Sequence, residues 1–273
     1  MGMRALDGYM HQTESSSMTA AVAAASYGEV TEQPGQPASR SQLEMLEARY
    51  AWAAELARGK DVLETACGAG MGLQALGNAA RSVQAGDVDR ENLRVAGAAC
   101  AGRSNIMLRQ FQGEALPFPD ECFDLVLLFE AIYYLADAGQ FLKEARRVLR
   151  PRGALLIVTV NPEWMGFNPS PLKTRYWSAM DLLAALQARG FAARVQGAFP
   201  ATSGVIRRAA VALNLIPRTM RSKALLKRIF CGPMHAVPRI VGNSSLRPSL
   251  EELDGTGSRR HRVLYATALK ESL

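Results

Sequence analysis

The sequence predicts an α/β fold: a doubly wound, mostly parallel sheet of seven strands with helices on both faces. Three observations carry that prediction. Short apolar runs alternate with helical patterns from residue 42 to residue 199, the order that a parallel sheet with crossover helices requires. The first apolar run opens into a turn holding Gly68, Gly70 and Gly72 at alternate positions. A last apolar run, 263–269, lies far from the others and adds a final strand.

The elements follow in order. Residues 1–41 are rich in Ser, Thr, Ala, Gln and Gly, with Pro34-Gly35 as turn punctuation, and read as a flexible N-terminal extension or lid. Leu43, Leu46, Tyr50 and Ala53 recur at helical spacing over 41–58, with Ser41 as the expected N-cap. Strands are expected at Asp61–Thr65, Ser82–Asp87, 106–112, Phe123–Phe129, 154–160 and 191–199, and helices at 72–80, 91–101, 138–149 and 178–187. The helix at 138–149 has Phe141, Leu142, Ala145 and Val148 on one face, charges on the other, and a stop at Pro151-Arg152-Gly153. Four units result: the extension 1–41, a core 42–199, a basic helical insertion or cap 200–260, and the final core strand 261–273.

Composition narrows the function classes. The chain has 273 residues, 48% of them hydrophobic, enough for a sizeable core with an appendage. The formal charge of +7 is compatible with nucleic acid, an anionic membrane surface or an acidic substrate, and equally with a merely basic soluble protein. Cys67, Cys100, Cys122 and Cys231 form no CxxC pair and the three histidines are scattered, so neither a metal site nor a disulfide framework is legible. That cysteine usage and the polar N-terminus point to a reducing, cytoplasmic location. No apolar run approaches the roughly 18–20 residues that cross a bilayer.

The chemistry centres on Val62-Leu63-Glu64-Thr65-Ala66-Cys67-Gly68-Ala69-Gly70-Met71-Gly72. An apolar strand delivers an acid at its end, then a turn in which glycine lets the backbone approach a ligand and adopt positive φ. Ligands of open α/β sheets sit in the crevice beyond such strand ends. The GxGxG spacing differs from the GxGxxG of dinucleotide sites. The second strand ends in Gly86-Asp87-Val88-Asp89, where a carboxylate can accept ribose hydroxyls or cap a helix. Gln112-Gly113 precede Glu114-Ala115-Leu116-Pro117-Phe118-Pro119-Asp120-Glu121-Cys122-Phe123-Asp124, and the fourth strand runs into Phe129-Glu130-Ala131-Ile132-Tyr133-Tyr134.

In this order and spacing, residues 42–199 resemble the class I S-adenosylmethionine (SAM)-dependent methyltransferases, in particular the short bacterial type 11 proteins. The resemblance implies a Rossmann-like core that binds SAM and releases S-adenosylhomocysteine. It implies that Glu64 holds the cationic amino-acid end, with Ala66, Gly68 and Gly70 offering backbone groups. Asp87 would hold the ribose, Val88 would pack on adenine, Gln112 and Gly113 would recognise its edge, and Phe129 would lend a carbonyl. Tyr27 and Arg49 are candidates for the cofactor carboxylate, although Arg49 reads equally as a solvated helix residue. The family commonly has Asp where Gln112 stands, and many small-molecule relatives have a His pair where Tyr133 and Tyr134 stand.

The acceptor side is marked by fewer residues. Glu130, Tyr133 and Tyr134 are the catalytic candidates, the tyrosines being poor bases at their ordinary pKa near ~10. Tyr134, Asn161 and Trp164 make a polar and aromatic rim suited to a hydroxylated molecule. The expected function is methyl transfer to a small molecule, at oxygen, of glycan-pathway or secondary-metabolite type. The alternatives are an RNA methyltransferase and a non-catalytic SAM-binding partner protein. The base-methylating [DN]PP[YF] pattern is absent after the fourth strand, where Phe129-Glu130-Ala131-Ile132 stands. The basic stretch 203–235, with Arg207, Arg208, Lys223, Lys227 and Arg228, reads as a substrate lid, a membrane-surface contact, an RNA-binding element or an amphipathic cap.

Overall fold

The computed structural model describes residues 31–200, 246–253 and 259–271, together with the backbone of Met234–Ala236. Tyr27 and most of the basic stretch at 203–235 lie outside the described residues. In chain order the elements are β1 (Pro37–Ser39), α1 (Arg40–Leu56), β2 (Asp61–Thr65), α2 (Leu73–Ala79), β3 (Ser82–Asp87), α3 (Arg90–Ala99), β4 (Ile106–Gln110), β5 (Phe123–Phe129), α4 (Ala138–Val148), β6 (Leu149–Val160), α5 (Ala179–Gln187), β7 (Phe191–Pro200), β8 (Met234–Ala236), β9 (Glu251–Glu252) and β10 (His261–Lys270).

One mixed sheet of eight strands holds the structure together, in the order β4-β3-β2-β5-β6-β10-β7-β9. The eighth strand, absent from the sequence-based expectation, is the two-residue β9. Its paired acids give no apolar signal, and it joins the edge only at Gln196 and Gly197 of β7. β2, β3, β4, β5 and β6 run parallel. β10 lies antiparallel between β6 and β7. The chain leaves β2 toward β3 and β4, then returns to place β5 on the other side of β2. That reversal puts a crevice at the carboxyl ends of β2 and β5, the place where open α/β sheets take their ligands.

The two-residue period of each strand sorts side chains to opposite faces. Val62, Leu125, Leu127, Leu156 and Val158 pack with α1, α2 and α3. Their neighbours Leu63, Val126, Leu128, Leu155 and Ile157 pack with α4 and α5 on the other face. All ten are essentially inaccessible to solvent, which is why these runs read as continuously apolar.

Several boundaries differ from the sequence pattern for local reasons. α1 is capped by Ser39 rather than Ser41. The Ser39 hydroxyl accepts from the Gln42 amide at 3.3 Å, and the Gln42 side chain accepts from the Ser39 amide at 2.8 Å, a reciprocal capping box. Ser41 instead accepts from Arg262 of β10 at 2.7 Å. β4 stops at Gln110, and the ring of the next residue, Phe111, packs against Gly86, where a Cβ would lie 2.1 Å from it. The Pro151-Arg152-Gly153 stop proves to be a kink inside β6, not a loop before it. Leu149 already pairs with Phe123, the register shifts before Leu125, and Arg152 takes φ +64°.

Two substitutions separate core from cap. Leu127→Ala should destabilise the protein by about 2–5 kcal/mol through a buried cavity. Ser39→Ala should cost about 1 kcal/mol through the lost cap. Urea titration followed by circular dichroism reads both, and equal losses would contradict this division.

Candidate functional site

The glycine turn is held by its surroundings before any ligand is considered. The Thr65 hydroxyl donates to the Leu127 carbonyl at 2.8 Å, tying the ends of β2 and β5 together. Ala66 and Gly68 then take φ of +56° and +54°. This bend aims the Gly68 amide at Asp87, whose Oδ2 accepts at 2.8 Å. The other two glycines serve packing. A Cβ on Gly70 would lie 2.8 Å from that of Ala96 in α3, and one on Gly72 would lie 2.0 Å from the Tyr50 ring.

Glu64 sits at the end of β2 with 1% of its surface exposed. Its Oε1 accepts from the Tyr50 hydroxyl at 2.7 Å, while Oε2 is buried with no hydrogen-bond partner among the described residues. Burial pushes its pKa up to about 7; the Tyr50 bond and nearby Arg49 act against that rise, and Asp87 adds to it. Arg49 is itself buried and pairs with Glu32. Its guanidinium lies 5.5 Å from the centroid of the Tyr50 ring. The solvated-helix reading of Arg49 is therefore overturned: its side chain is only 7% exposed. One arginine thus stands near three carboxylates, those of Glu32, Glu64 and Glu130.

Asp87 is buried and its pKa is raised, burial being the main cause. Its Oδ1 accepts from the Asp89 amide at 2.9 Å and more weakly from Asn92 at 3.4 Å. A carboxylate has about four acceptor positions, so capacity remains for ribose hydroxyls. Asp89 is the N-cap of α3, accepting from the Glu91 amide at 2.8 Å, which separates the two acids that the sequence places side by side. Val88 is half-buried between them, and its carbonyl accepts from Gln110 at 2.8 Å. Gln112 and Gly113 stand in a small turn after β4 rather than on it, closed by a bridge from Gln112 to Ala115. Phe129 ends β5 with its ring edge-on to Tyr50 at 5.5 Å.

Glu130 follows Phe129 at φ +51°, a conformation that a non-glycine residue adopts only where its surroundings hold it. Its amide donates to the Val158 carbonyl at 2.7 Å. Its carboxylate accepts from the Tyr133 hydroxyl at 3.1 Å. Burial lifts the Glu130 pKa to about 7, against the pull of Arg49 and with the push of Glu32. The Tyr133 hydroxyl, pushed well above its ordinary value chiefly by burial, acts as a donor here. Tyr134 packs on Tyr133 at 4.5 Å between ring centroids and donates to Ser170 at 3.1 Å.

The rim residues fall differently. Asn161 is fully buried. Its amide group donates to the His261 carbonyl at 2.8 Å and accepts from the Glu163 amide at 3.1 Å, so it shapes the turn after β6. Trp164 packs under Arg262, 5.2 Å from ring to guanidinium. Tyr176 supplies an aromatic surface that the sequence pattern does not single out, 5.1 Å from Tyr133 and 4.6 Å from Phe167. Tyr50, Asn92 and Glu32 are likewise visible only in three dimensions; a tyrosine at helical spacing gives no sign that its hydroxyl reaches a carboxylate. Among the described residues no group of His, Cys, Asp and Glu could hold a metal ion, and no helix is long and apolar enough to cross a membrane.

A family model described as a methyltransferase domain matches residues 63–157. A probable S-adenosylmethionine-dependent methyltransferase of Mycolicibacterium smegmatis is 34% identical over 151 residues, which make up 53% of this chain and 57% of the relative. A ubiquinone biosynthesis O-methyltransferase of Sinorhizobium fredii is 29% identical over 105 residues, 38% of this chain and 42% of that one. The chain thus spans about half the length of the curated relatives it matches. The crystal structure of the YcgJ protein of Bacillus subtilis superposes with a TM-score of 0.55 at 20% identity, covering 82% of this chain and 98% of that one, a likeness of fold. The buried, half-partnered Glu64 suits a cationic ligand end, and the acid at Asp87 suits a ribose. The family match spans the glycine turn and β5, so residues 63–157 match a methyltransferase domain, and about half of the chain is similar to SAM-dependent methyltransferases.

Proposed function

We propose that the protein transfers the methyl group of SAM to a hydroxyl oxygen of a small molecule. SAM supplies a methyl already activated on a sulfonium, so the protein's work is placement and proton handling. Glu64 Oε2 would accept from the cofactor's ammonium group, and Arg49 would attract its carboxylate. Asp87 would accept from the ribose hydroxyls, and Val88, Gln112 and Gly113 would hold the adenine end. Phe129 would lend its carbonyl to the amino-acid tail.

The observation that supports oxygen chemistry best is Glu130. A carboxylate of pKa about 7 is a far stronger base than an ordinary one near ~4.3, and an acceptor hydroxyl, unlike an amine lone pair, has a proton to lose. Tyr133 donates to Glu130 and orients it, while Tyr134 and Tyr176 offer flat surfaces for the acceptor. The similarity to a ubiquinone biosynthesis O-methyltransferase supports the same reading. Asn161, spent on its own turn, takes no part in it, and Trp164 only bounds the rim.

Transfer of labelled methyl from SAM to a fractionated small-molecule extract tests the proposal. Label in RNA alone would overturn it. Glu130→Gln should lower kcat by about 100-fold or more while cofactor affinity stays unchanged; an unchanged kcat would remove Glu130 as the base. Asp87→Ala should weaken SAM binding by about 10-fold or more, read by calorimetry.

Stability carries a further signature. Glu64 and Glu130 titrate near 7 in the folded chain and near ~4.3 unfolded. The folded state therefore binds more protons between those values, and these two groups make stability fall as pH rises from about 5 to about 7. Saturating SAM should flatten that slope, because it partners the ionised Glu64. Melting temperatures across this range, with and without SAM, check the sign.

A further inference from the structure

Tyr50 lies outside the glycine turn, on α1, yet its hydroxyl makes the one hydrogen bond that the Glu64 carboxylate has among the described residues. The ring is confined on two sides. Phe129 meets it edge-on at 5.5 Å, and Gly72 lies so close that any Cβ there would stand 2.0 Å from the ring carbons. The ring is 4% exposed, so neither the hydroxyl nor its acceptor exchanges freely with water.

We propose that Tyr50 is the positioning residue of the cofactor site. It occupies Glu64 Oε1, leaving Oε2 as the carboxylate oxygen that the ligand's ammonium partners, and the glycine at 72 serves to seat its ring. This rests on the reading of Glu64 given above. A buried carboxylate with one hydrogen bond is poorly compensated. One firm donor favours the ionised form, and the second acceptor position is completed by a cation. The charged and titratable groups facing Glu64 are Arg49 and Tyr50 from α1, Cys67 from the turn and Asp87 from β3. Arg49 favours the carboxylate and Asp87 opposes it. Of these, Tyr50 alone bonds Glu64 directly.

Tyr50→Phe keeps the ring and removes the donor. Binding of S-adenosylhomocysteine, which retains the ammonium group, should weaken by about 10-fold near neutral pH. The pH at which affinity rises should move upward from its wild-type value near 7, because Glu64 loses a bond to its ionised form. Methylthioadenosine, which lacks the amino-acid tail, should bind wild type and variant alike. Gly72→Ala should reproduce both effects by displacing the ring. Calorimetry between about pH 6 and about pH 8 reads all of these. Unchanged S-adenosylhomocysteine affinity and midpoint in Tyr50→Phe would overturn the proposal, as would an equal loss for methylthioadenosine at every pH, which marks general damage. Failure of the Glu64 reading looks different: Glu64→Gln would then bind S-adenosylhomocysteine as wild type does, with the same pH dependence.

Discussion

A buried carboxylate with one oxygen unpartnered among the described residues is an expensive thing for a fold to hold, and the crevice side of this protein is organised around one. Glu64 sits at the centre of the sheet, at the end of the strand where the winding reverses. It has Tyr50 on one oxygen and Arg49 nearby. The turn after it cannot move independently. Thr65 is bonded to β5, and the Gly68 amide is bonded to Asp87 on β3. Three neighbouring strand ends are thereby locked in register at their carboxyl side. The amino side of the same strands is closed by a different device, in which Asp61 and Asp124 share Arg81 and Arg150. A partly exposed network of this kind contributes little net stability per pair, but it pins where the strands begin.

The fold was legible because its signal is periodic. Leu63, Val126 and Ile157 on one face, with Val62, Leu125 and Leu156 on the other, make runs that only a doubly covered sheet explains. The residues proposed to hold the cofactor were legible because the crevice takes particular residue types at strand ends, and the structure places Glu64, Gly68 and Asp87 together there. What remained hidden depends on contacts between distant positions. Nothing near Tyr50 in the chain announces a hydrogen bond to a residue fourteen positions on. Nothing in Asn161-Pro162-Glu163 says that the amide is spent on its own turn and on β10. The kink at Pro151 was read as an ending because proline and glycine punctuate strands and loops alike.

The two sides of the crevice differ in how firmly they are specified. On the cofactor side, backbone amides and buried carboxylates engage one another through short bonds. On the side proposed for the acceptor, Tyr133 meets Tyr134 and Phe167 meets Tyr176 edge to face, and Tyr133 and Tyr176 are tilted against each other. Aromatic rings of this kind bury large apolar area and prefer offset-stacked or edge-to-face partners.

The placement of β10 has a consequence for how the molecule comes into being. Its strand follows all the other described strands in sequence, yet it enters the sheet between β6 and β7, not at an edge. Until residues 261–270 have left the ribosome, β6 and β7 have no partner between them and present open strand edges. Such edges invite pairing with other chains. The half of the sheet that bears the glycine turn can assemble early from near-neighbour contacts. The other half must wait for a contact that spans about a hundred positions, from Asn161 to His261. A nascent chain stalled short of β10 therefore carries a formed crevice at the ends of β2 and β5 on an unfinished sheet.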